Sequence, residues 1–136
     1  MQGRILAIDY GEVRVGLAIS DPLRILSTPF DVFKNDDNLI HNLKNLISEK
    51  EITLIILGLP LNLKGKDSKK TLEIREFKTK LEEELNLPIK LVDERFTTYE
   101  ANNELKRLGF SVKESRKVID KIAASLILKS YLKQIV

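Results

Sequence analysis

The pattern of hydrophobic and polar residues predicts three strands in the first third of the chain. The segment from Arg4 to Asp9 is mostly apolar, and Val13 to Ser20 alternates apolar with small or polar residues. That period of two is typical of a strand with one buried face. A turn at Gly11 separates the two segments, and a less regular third strand covers about Arg24 to Phe33. Strands joined by short links pair antiparallel, so we expect a β-meander.

The rest of the chain alternates between helical and strand patterns. Apolar residues at helical spacing indicate amphipathic helices, and short continuous apolar runs indicate buried strands. Two capping patterns, a Thr or Ser followed three residues later by Glu, open further helices. The predicted elements after the meander are a helix from Leu39 to about Ile47, a strand Thr53–Leu57, a lysine-containing loop Leu61–Lys70, a helix spanning Ile74 to Leu85, a strand Ile89–Val92, a short helix opened by Thr97, and a terminal helix opened by Ser111.

This order of elements predicts an α/β fold in which a mixed five-stranded sheet carries helices on both faces. At 136 residues the chain is long enough for one domain, spanning residues 1–136, with a full core. Parallel strands in such sheets gather their carboxyl ends at one edge, where ligands tend to bind. We therefore expect functional residues where the strands end.

Three acidic positions stand at the edges of predicted apolar segments. Asp9 closes the first strand, Glu94 follows the last one together with Asp93, and Asp120 lies inside the mostly apolar segment Val118–Leu132. If these carboxylates lie within about 4 Å of one another, each pair costs on the order of 4 kcal/mol at an effective dielectric constant near 20. A proton or a cation must relieve that repulsion. Oxygen ligands suit Mg²⁺ or Mn²⁺, and two such ions can hydrolyse a phosphodiester.

Each of these residues also has a purely structural interpretation. Asp9 could cap the turn at Gly11 through its carboxylate. Asp120 could pair with Lys117 or Lys121 on its own helix, although its helical neighbours toward the C-terminus are mainly Ala and Ile. Arg14 could hold a phosphate or form a surface ion pair with Glu12. Thr97 could contact a sugar-phosphate backbone with Thr98, or only cap its helix, and Tyr10 and Tyr99 could stack on a base.

Composition excludes several classes of site. The chain has no cysteine and one histidine, which rules out disulfides and thiolate metal sites and disfavours zinc centres and Ser-His-Asp triads. We expect a cytoplasmic protein without a membrane partner, because no leader-like or 18-residue apolar segment is present. The net charge is only +3, yet basic residues concentrate near the C-terminus. Between residues 106 and 133 the chain has two acidic residues and eight basic ones, which are Lys106, Arg107, Lys113, Arg116, Lys117, Lys121, Lys129 and Lys133. Such a segment suits a polyanion, although a solvated helix face would look the same.

Taken together, these motifs resemble those of the YqgF/RuvX family. The matching segments, in order, are Asp9-Tyr10-Gly11, Arg14-Val15-Gly16, Gly58-Leu59-Pro60, Asp93-Glu94-Arg95-Phe96-Thr97-Thr98 and Asp120-Lys121-Ile122-Ala123-Ala124. The resemblance implies an RNase H-like fold and a metal-dependent nuclease that processes the 5′ end of pre-16S rRNA, or else a Holliday junction resolvase. It places the catalytic and metal-binding acids at Asp9, Glu94 and Asp120, with Mg²⁺ or Mn²⁺ as cofactor. The candidate nucleic-acid contacts are Arg14, Arg95, Thr97, Thr98 and Lys66.

Two other functions remain open from the sequence. The spacing from Asp9 to Gly16 is similar to the first phosphate loop of actin-like ATPases and sugar kinases, but those proteins need a second domain to close over ATP. A non-catalytic nucleic-acid-binding module would suit the basic C-terminal segment but has no use for three acids. The expected partner is an rRNA precursor or branched DNA, bound by a monomer or weak homodimer.

Overall fold

A computed structural model of the chain describes residues 3–60, 68–93, 103, 106–109 and 111–135. Within them the polypeptide forms five strands and three long helices. The strands are β1 (Arg4–Tyr10), β2 (Arg14–Ser20), β3 (Ser27–Lys34), β4 (Ile52–Leu59) and β5 (Ile89–Asp93). The helices are α1 (Leu39–Glu49), α2 (Lys69–Glu84) and α3 (Val112–Gln134).

The strands form one mixed sheet in the order β3-β2-β1-β4-β5. The meander accounts for the antiparallel pairs β1–β2 and β2–β3, and the helical crossovers account for the parallel pairs β1–β4 and β4–β5. Both connection types follow the usual rules for short links and crossovers. The predicted α/β architecture with a mixed five-stranded sheet is therefore confirmed.

The sheet separates two hydrophobic clusters. On β1, Leu6 and Ile8 belong to the cluster formed with α1 and α2, whereas Ile5 and Ala7 belong to the cluster formed with α3. This division follows from strand geometry, because successive side chains point to opposite faces. Whether a residue stands at an odd or an even position along a strand thus decides which helices its side chain contacts.

No helix in the described part of the chain is long and apolar enough to cross a membrane.

Two predicted boundaries were wrong. The third strand begins at Ser27 rather than Arg24, because the Asp21 carboxylate accepts the backbone N–H groups of Ile25 and Leu26 and holds them out of the sheet. The predicted loop ends before Lys69, because Ser68 caps α2 there. Its Oγ accepts the backbone N–H of Thr71, and the Thr71 hydroxyl oxygen accepts the N–H of Ser68.

The short helix predicted from Thr97 lies mostly outside the described residues. The described positions 103, 106 and 107 are helical, and Gly109 follows them with a φ of +85°. Its N–H donates to the carbonyl of Lys106 at 3.0 Å. A left-handed glycine at this point is typical of a helix end, because residues with a Cβ adopt that conformation at a cost.

Candidate active site at the end of the first strand

Asp9 lies near the end of β1 on the sheet face covered by α3, the same face as Ile5 and Ala7. Burial raises the pKa of its carboxyl from 3.8 to about 6. The Lys70 ammonium opposes that rise, and the Asp120 carboxylate adds to it. A buried acid with an elevated pKa beside a second acid is a typical candidate for a functional site.

Asp120 reaches Asp9 because α3 crosses β2 at very close range. Gly16 is the β2 partner of Asp9, and a Cβ at this glycine would collide with the backbone carbonyl of Asp120. The absence of a side chain at Gly16 thus lets the helix backbone approach the sheet. Ala123 and Ala124, both buried, continue the close packing of the helix. Two acids more than a hundred residues apart in sequence are brought together in this way.

Arg14 forms an ion pair with Asp120. Its Nε donates to the Asp120 Oδ2 at 2.9 Å, with side-chain exposures of 54% for the arginine and 25% for the aspartate. Arg14 shares the α3 face of β2 with Gly16 because the two residues are separated by one period of the strand. The sequence had suggested Glu12 as a partner of Arg14, and Lys117 or Lys121 as a partner of Asp120. The structure instead joins the arginine and the aspartate to each other.

A cavity of about 450 Å³ opens beside these groups. Its lining includes three cations and three acids, together with Gly11. The cations are Arg14, Lys69 and Lys70, and the acids are Glu12, Glu73 and Asp120. Within the described residues, no hydrogen bond ties the Asp9 carboxylate to the Gly11 turn, so the capping interpretation of Asp9 finds no support.

The third predicted acid, Glu94, lies outside the described residues, but its neighbour Asp93 is described. On β5, Val92 packs in the α3 cluster, whereas Leu91 packs against the cluster of α1 and α2. Alternation therefore places Asp93 on the face opposite Asp9. Because the sheet separates Asp93 from Asp9, this placement does not favour Asp93 as a member of the acid cluster.

Four predicted nucleic-acid contacts, Lys66, Arg95, Thr97 and Thr98, also lie outside the described residues. Tyr10 is described, and its ring stacks on Phe77 with centroids 4.2 Å apart. Both rings belong to the side of the sheet that carries α1 and α2. Base stacking by Tyr10 near Asp9 is therefore not supported, because the ring packs on the other face.

The donor set suits a hard divalent cation in part. Asp9 and Asp120 offer carboxylate oxygens, which Mg²⁺ and Mn²⁺ prefer. Among the residues that the structure describes, no three His, Cys, Asp or Glu side chains cluster closely enough to hold a metal. The described part of the site therefore contains two carboxylates, one from β1 and one from α3.

Comparison with known proteins agrees with the motif series. The model of the family described as RuvX, Holliday junction resolvase, matches residues 3–134. The chain belongs to the RuvX family. Relatives from Koribacter versatilis and Dictyoglomus turgidum are 42% and 43% identical to it, and both are named "Putative pre-16S rRNA nuclease". The alignments cover 98% and 95% of this chain, and 89% and 93% of those relatives.

Solved structures support the fold of this RuvX chain. RuvC of T. thermophilus in complex with a Holliday junction substrate matches with a TM-score of 0.57 and 10% identity, covering 98% of this chain and 96% of that one. The Fowlpox virus resolvase in complex with Holliday junction DNA matches with a TM-score of 0.60 and 13% identity, covering 98% and 99%. These neighbours confirm the predicted RNase H-like fold.

The sequence placed Lys69 and Lys70 at the end of a lysine-containing loop that could bind nucleic acid, and it did not predict that they lie beside the two acids of this RuvX chain. Both occupy the first turn of α2, where the helix dipole disfavours cations and no acid is present. Their position is explained by the neighbouring acids, since Lys70 interacts electrostatically with Asp9. Two lysines in the first turn of a helix interact unfavourably with the helix dipole, and this pattern is the sequence signal that could have identified them.

Proposed function

We propose that this chain is a metal-dependent endonuclease that processes the 5′ end of pre-16S rRNA in the bacterial cytoplasm. One observation supports it above the others: the fold brings Asp9 of β1 and Asp120 of α3 together beside a cavity lined by three cations and three acids. The names of the relatives favour a ribosomal RNA precursor as substrate. The proposed enzyme is one nuclease domain spanning residues 1–136.

Asp9, Asp120 and Glu94 would hold Mg²⁺ or Mn²⁺. When bound, a pair of such ions activates water and stabilises the leaving oxygen of a phosphodiester. Burial, with a smaller contribution from the Asp120 carboxylate, raises the pKa of Asp9, and a bound cation would offset the cost of that buried negative charge. For the third acid, we choose Glu94 from the motif, since the described Asp93 lies on the sheet face opposite Asp9.

The chain's own cations would position the substrate. The guanidinium of Arg14 pairs with one oxygen of Asp120 and is half exposed at the cavity, so it can reach a phosphate entering there. Lys70 lies close enough to Asp9 to lower its pKa. Arg95, Thr97, Thr98 and Lys66 would contact the sugar-phosphate backbone. Contacts of this kind fix orientation and register and do not read the base sequence.

The test is a cleavage assay with a 5′-extended 16S rRNA precursor and a four-way DNA junction, each with Mg²⁺ or Mn²⁺. The variants Asp9→Asn, Glu94→Gln and Asp120→Asn should lose cleavage of the RNA and keep their fold. Asp93→Asn is the matched control, because it removes a charge next to Glu94 from the opposite face of the sheet. The control should cut like the wild type.

Resolution of Holliday junctions is the second candidate, favoured by the description of the family. Cutting of the junction but not the RNA would select it, and it would require two active sites and hence a homodimer. Retained binding of both substrates without metal-dependent cleavage would contradict a nuclease and favour a binding module. Equal losses in Asp93→Asn and Glu94→Gln would contradict the assignment of the third acid.

A further inference from the structure

The loop between β2 and β3 exposes three aliphatic side chains. Leu23, Ile25 and Leu26 are 69%, 66% and 65% exposed, and Ile135 beyond the end of α3 is 48% exposed. Contiguous exposed apolar surface of this kind is unusual on a protein without a partner. We call this surface, together with the exposed Lys129 and Lys133 of α3, the loop patch.

Hydrogen bonds to Asp21 hold the loop in this conformation. The Asp21 carboxylate accepts the backbone N–H groups of Leu23, Ile25 and Leu26 at 3.2, 2.7 and 2.7 Å. These hydrogen bonds lower the pKa of Asp21, the Leu26 bond having the largest effect. A single carboxylate thus fixes the backbone of all three exposed apolar residues.

A second restraint is the left-handed backbone of Arg24, whose φ is +58°. Its Nε donates to the carbonyl of Gly3 at 3.1 Å, and its Nη2 donates to the hydroxyl of Thr53 at 3.0 Å. At the far end of the loop, the Ser27 hydroxyl donates to the carbonyl of Ser125 on α3 at 2.7 Å. Residues with a Cβ disfavour this backbone conformation, so the conformation of Arg24 that keeps the apolar side chains outward lowers the stability of the fold.

A groove of about 1,000 Å³ separates the loop from the C-terminal turns of α3. Its floor includes Tyr131 and Leu132, and its rim carries Lys129 and Lys133 one helical turn apart. None of the described residues that line it is acidic. The groove is therefore apolar within and positively charged at its rim.

The loop patch lies far from the candidate active site. It adjoins the start of β1 through Gly3, whereas Asp9 stands near the other end of that strand. Along α3, thirteen residues separate Asp120 from Lys133, or about 20 Å at 1.5 Å per residue. The patch is a separate surface and does not belong to the nuclease cavity.

We propose that the loop patch docks an acidic amphipathic helix of another protein. Apolar side chains of that helix would fill the groove against Leu23, Ile25 and Leu26, and acidic side chains would pair with Lys129 and Lys133. Helices bind grooves through apolar residues at positions i, i+3, i+4 and i+7, and an apolar stripe of this kind matches the apolar lining of the groove. This site tethers the enzyme to a protein partner and leaves the nuclease cavity open.

The charges and side-chain types favour this partner over two others. In a symmetric dimer each patch would face its own copy, bringing Arg24, Lys129 and Lys133 of both copies together with like charges. Nucleic acid could contact Lys129 and Lys133 through its phosphates, but it would leave the exposed aliphatic side chains of Leu23, Ile25 and Leu26 uncovered, since bases bind proteins through hydrogen bonds and aromatic stacking.

The test uses two synthetic amphipathic helices of about 18 residues, long enough to be helical. Both have leucine on one face, and the polar face carries glutamate in one peptide and lysine in the other. The full chain should bind the glutamate peptide with a Kd below about 100 µM and the lysine peptide at least tenfold more weakly. The double variant Lys129→Glu, Lys133→Glu should reverse that preference.

Further variants separate the patch from general effects. Leu23→Ser with Leu26→Ser should weaken binding of the glutamate peptide at least tenfold. Leu72→Ser removes another exposed leucine, from α2, and Lys34→Glu changes a charge on β3. Both should bind like the wild type, as should Asp9→Asn, which lacks the proposed catalytic acid. Unchanged thermal midpoints would confirm that the substituted chains remain folded.

Several results would overturn the proposal. These are equal binding of the two peptides, no saturable binding, or binding that the patch variants leave unchanged. Sedimentation equilibrium showing a wild-type dimer that Leu23→Ser with Leu26→Ser dissociates would assign the patch to a second copy instead. Displacement of the glutamate peptide by a single-stranded RNA of mixed sequence would assign it to nucleic acid. None of these results depends on cleavage, so they leave the proposed nuclease function intact.

Discussion

The guanidinium of Arg14 donates to the carboxylate of Asp120 at 2.9 Å, across a sequence separation of 106 residues. A metal ion would therefore compete with Arg14 for the carboxylate of Asp120, whereas a phosphate would compete with that carboxylate for Arg14. Both side chains retain contact with solvent, so the pair itself adds less than about 1 kcal/mol to stability. The ion pair therefore affects the binding of ligands more than it affects the stability of the fold.

Replacing Arg14 with Gln should therefore have opposite effects on two ligands. Mn²⁺ should bind several-fold more tightly, because a competing cation beside Asp120 is removed. Binding of the RNA precursor should weaken by about five- to tenfold, corresponding to about 1 kcal/mol for one lost phosphate contact. Calorimetric titration with Mn²⁺ and a filter-binding assay with RNA measure the two constants. Arg14→Lys, which keeps the charge, should leave the affinity for RNA closer to that of the wild type.

The pKa of Asp9 predicts how stability depends on pH in the absence of divalent ions. Because the folded pKa of about 6 exceeds the ordinary value of 3.8, the folded state binds this proton more tightly than the unfolded chain. The contribution of Asp9 to the free energy of unfolding is therefore complete below pH 3.8 and lost as the pH rises through about 6. The loss is on the order of 3 kcal/mol.

Urea unfolding of the wild type and Asp9→Asn between about pH 4 and pH 8 tests this linkage. The variant lacks the titrating group, so its stability advantage over the wild type should grow as the pH rises. Asp37→Asn, at an exposed position, serves as the control and should track the wild type. Parallel curves for wild type and Asp9→Asn would show that Asp9 is not destabilised by its surroundings.

Lys70 should hold the Asp9 pKa below the value that burial alone would give. Lys70→Gln removes the cation and keeps a side chain of similar size, so the pKa of Asp9 should rise further. Titration of the ¹³C carboxyl resonance of Asp9 by NMR, without divalent ions, measures the change. Lys80→Gln, on the same helix, should leave the resonance unshifted, and an equal shift in both variants would argue against a specific contact.

Gly16→Ala should separate α3 from the sheet. The new methyl group meets the Asp120 backbone, and backbone cannot rotate away, so the helix must shift. We expect a loss of about 1–3 kcal/mol in the free energy of unfolding, as in other overpacked sites. Cleavage should fall far more than stability suggests, because the shift moves Asp120 away from Asp9.

Cleavage measured well below the unfolding temperature tests the Gly16→Ala effect. Ile55→Val is the control, since it removes one buried methylene from β4 and costs about 1 kcal/mol without touching the site. Activity of Gly16→Ala equal to that of this control would contradict a role for the close approach.

The sequence predicted the order of strands and helices because that order follows from local patterns. The alternation in β2 and the apolar run of β4 depend on which face each residue buries, and this is visible within a few residues. The same patterns marked Asp9 as a charge at the end of a buried strand. The start of β3 was wrong because the Asp21 carboxylate, a local but unforeseen hydrogen-bond acceptor, holds the preceding backbone outward.

By itself, the sequence determined the family, the α/β architecture and the candidate acids, since motifs and periodicities are properties of neighbouring residues. Only the tertiary structure decided which of those residues meet. The pairing of Arg14 with Asp120, the approach of Lys70 to Asp9 and the placement of Asp93 on the opposite face depend on strand parity combined with helix packing. Such relationships join distant positions through three dimensions, and no local pattern encodes them.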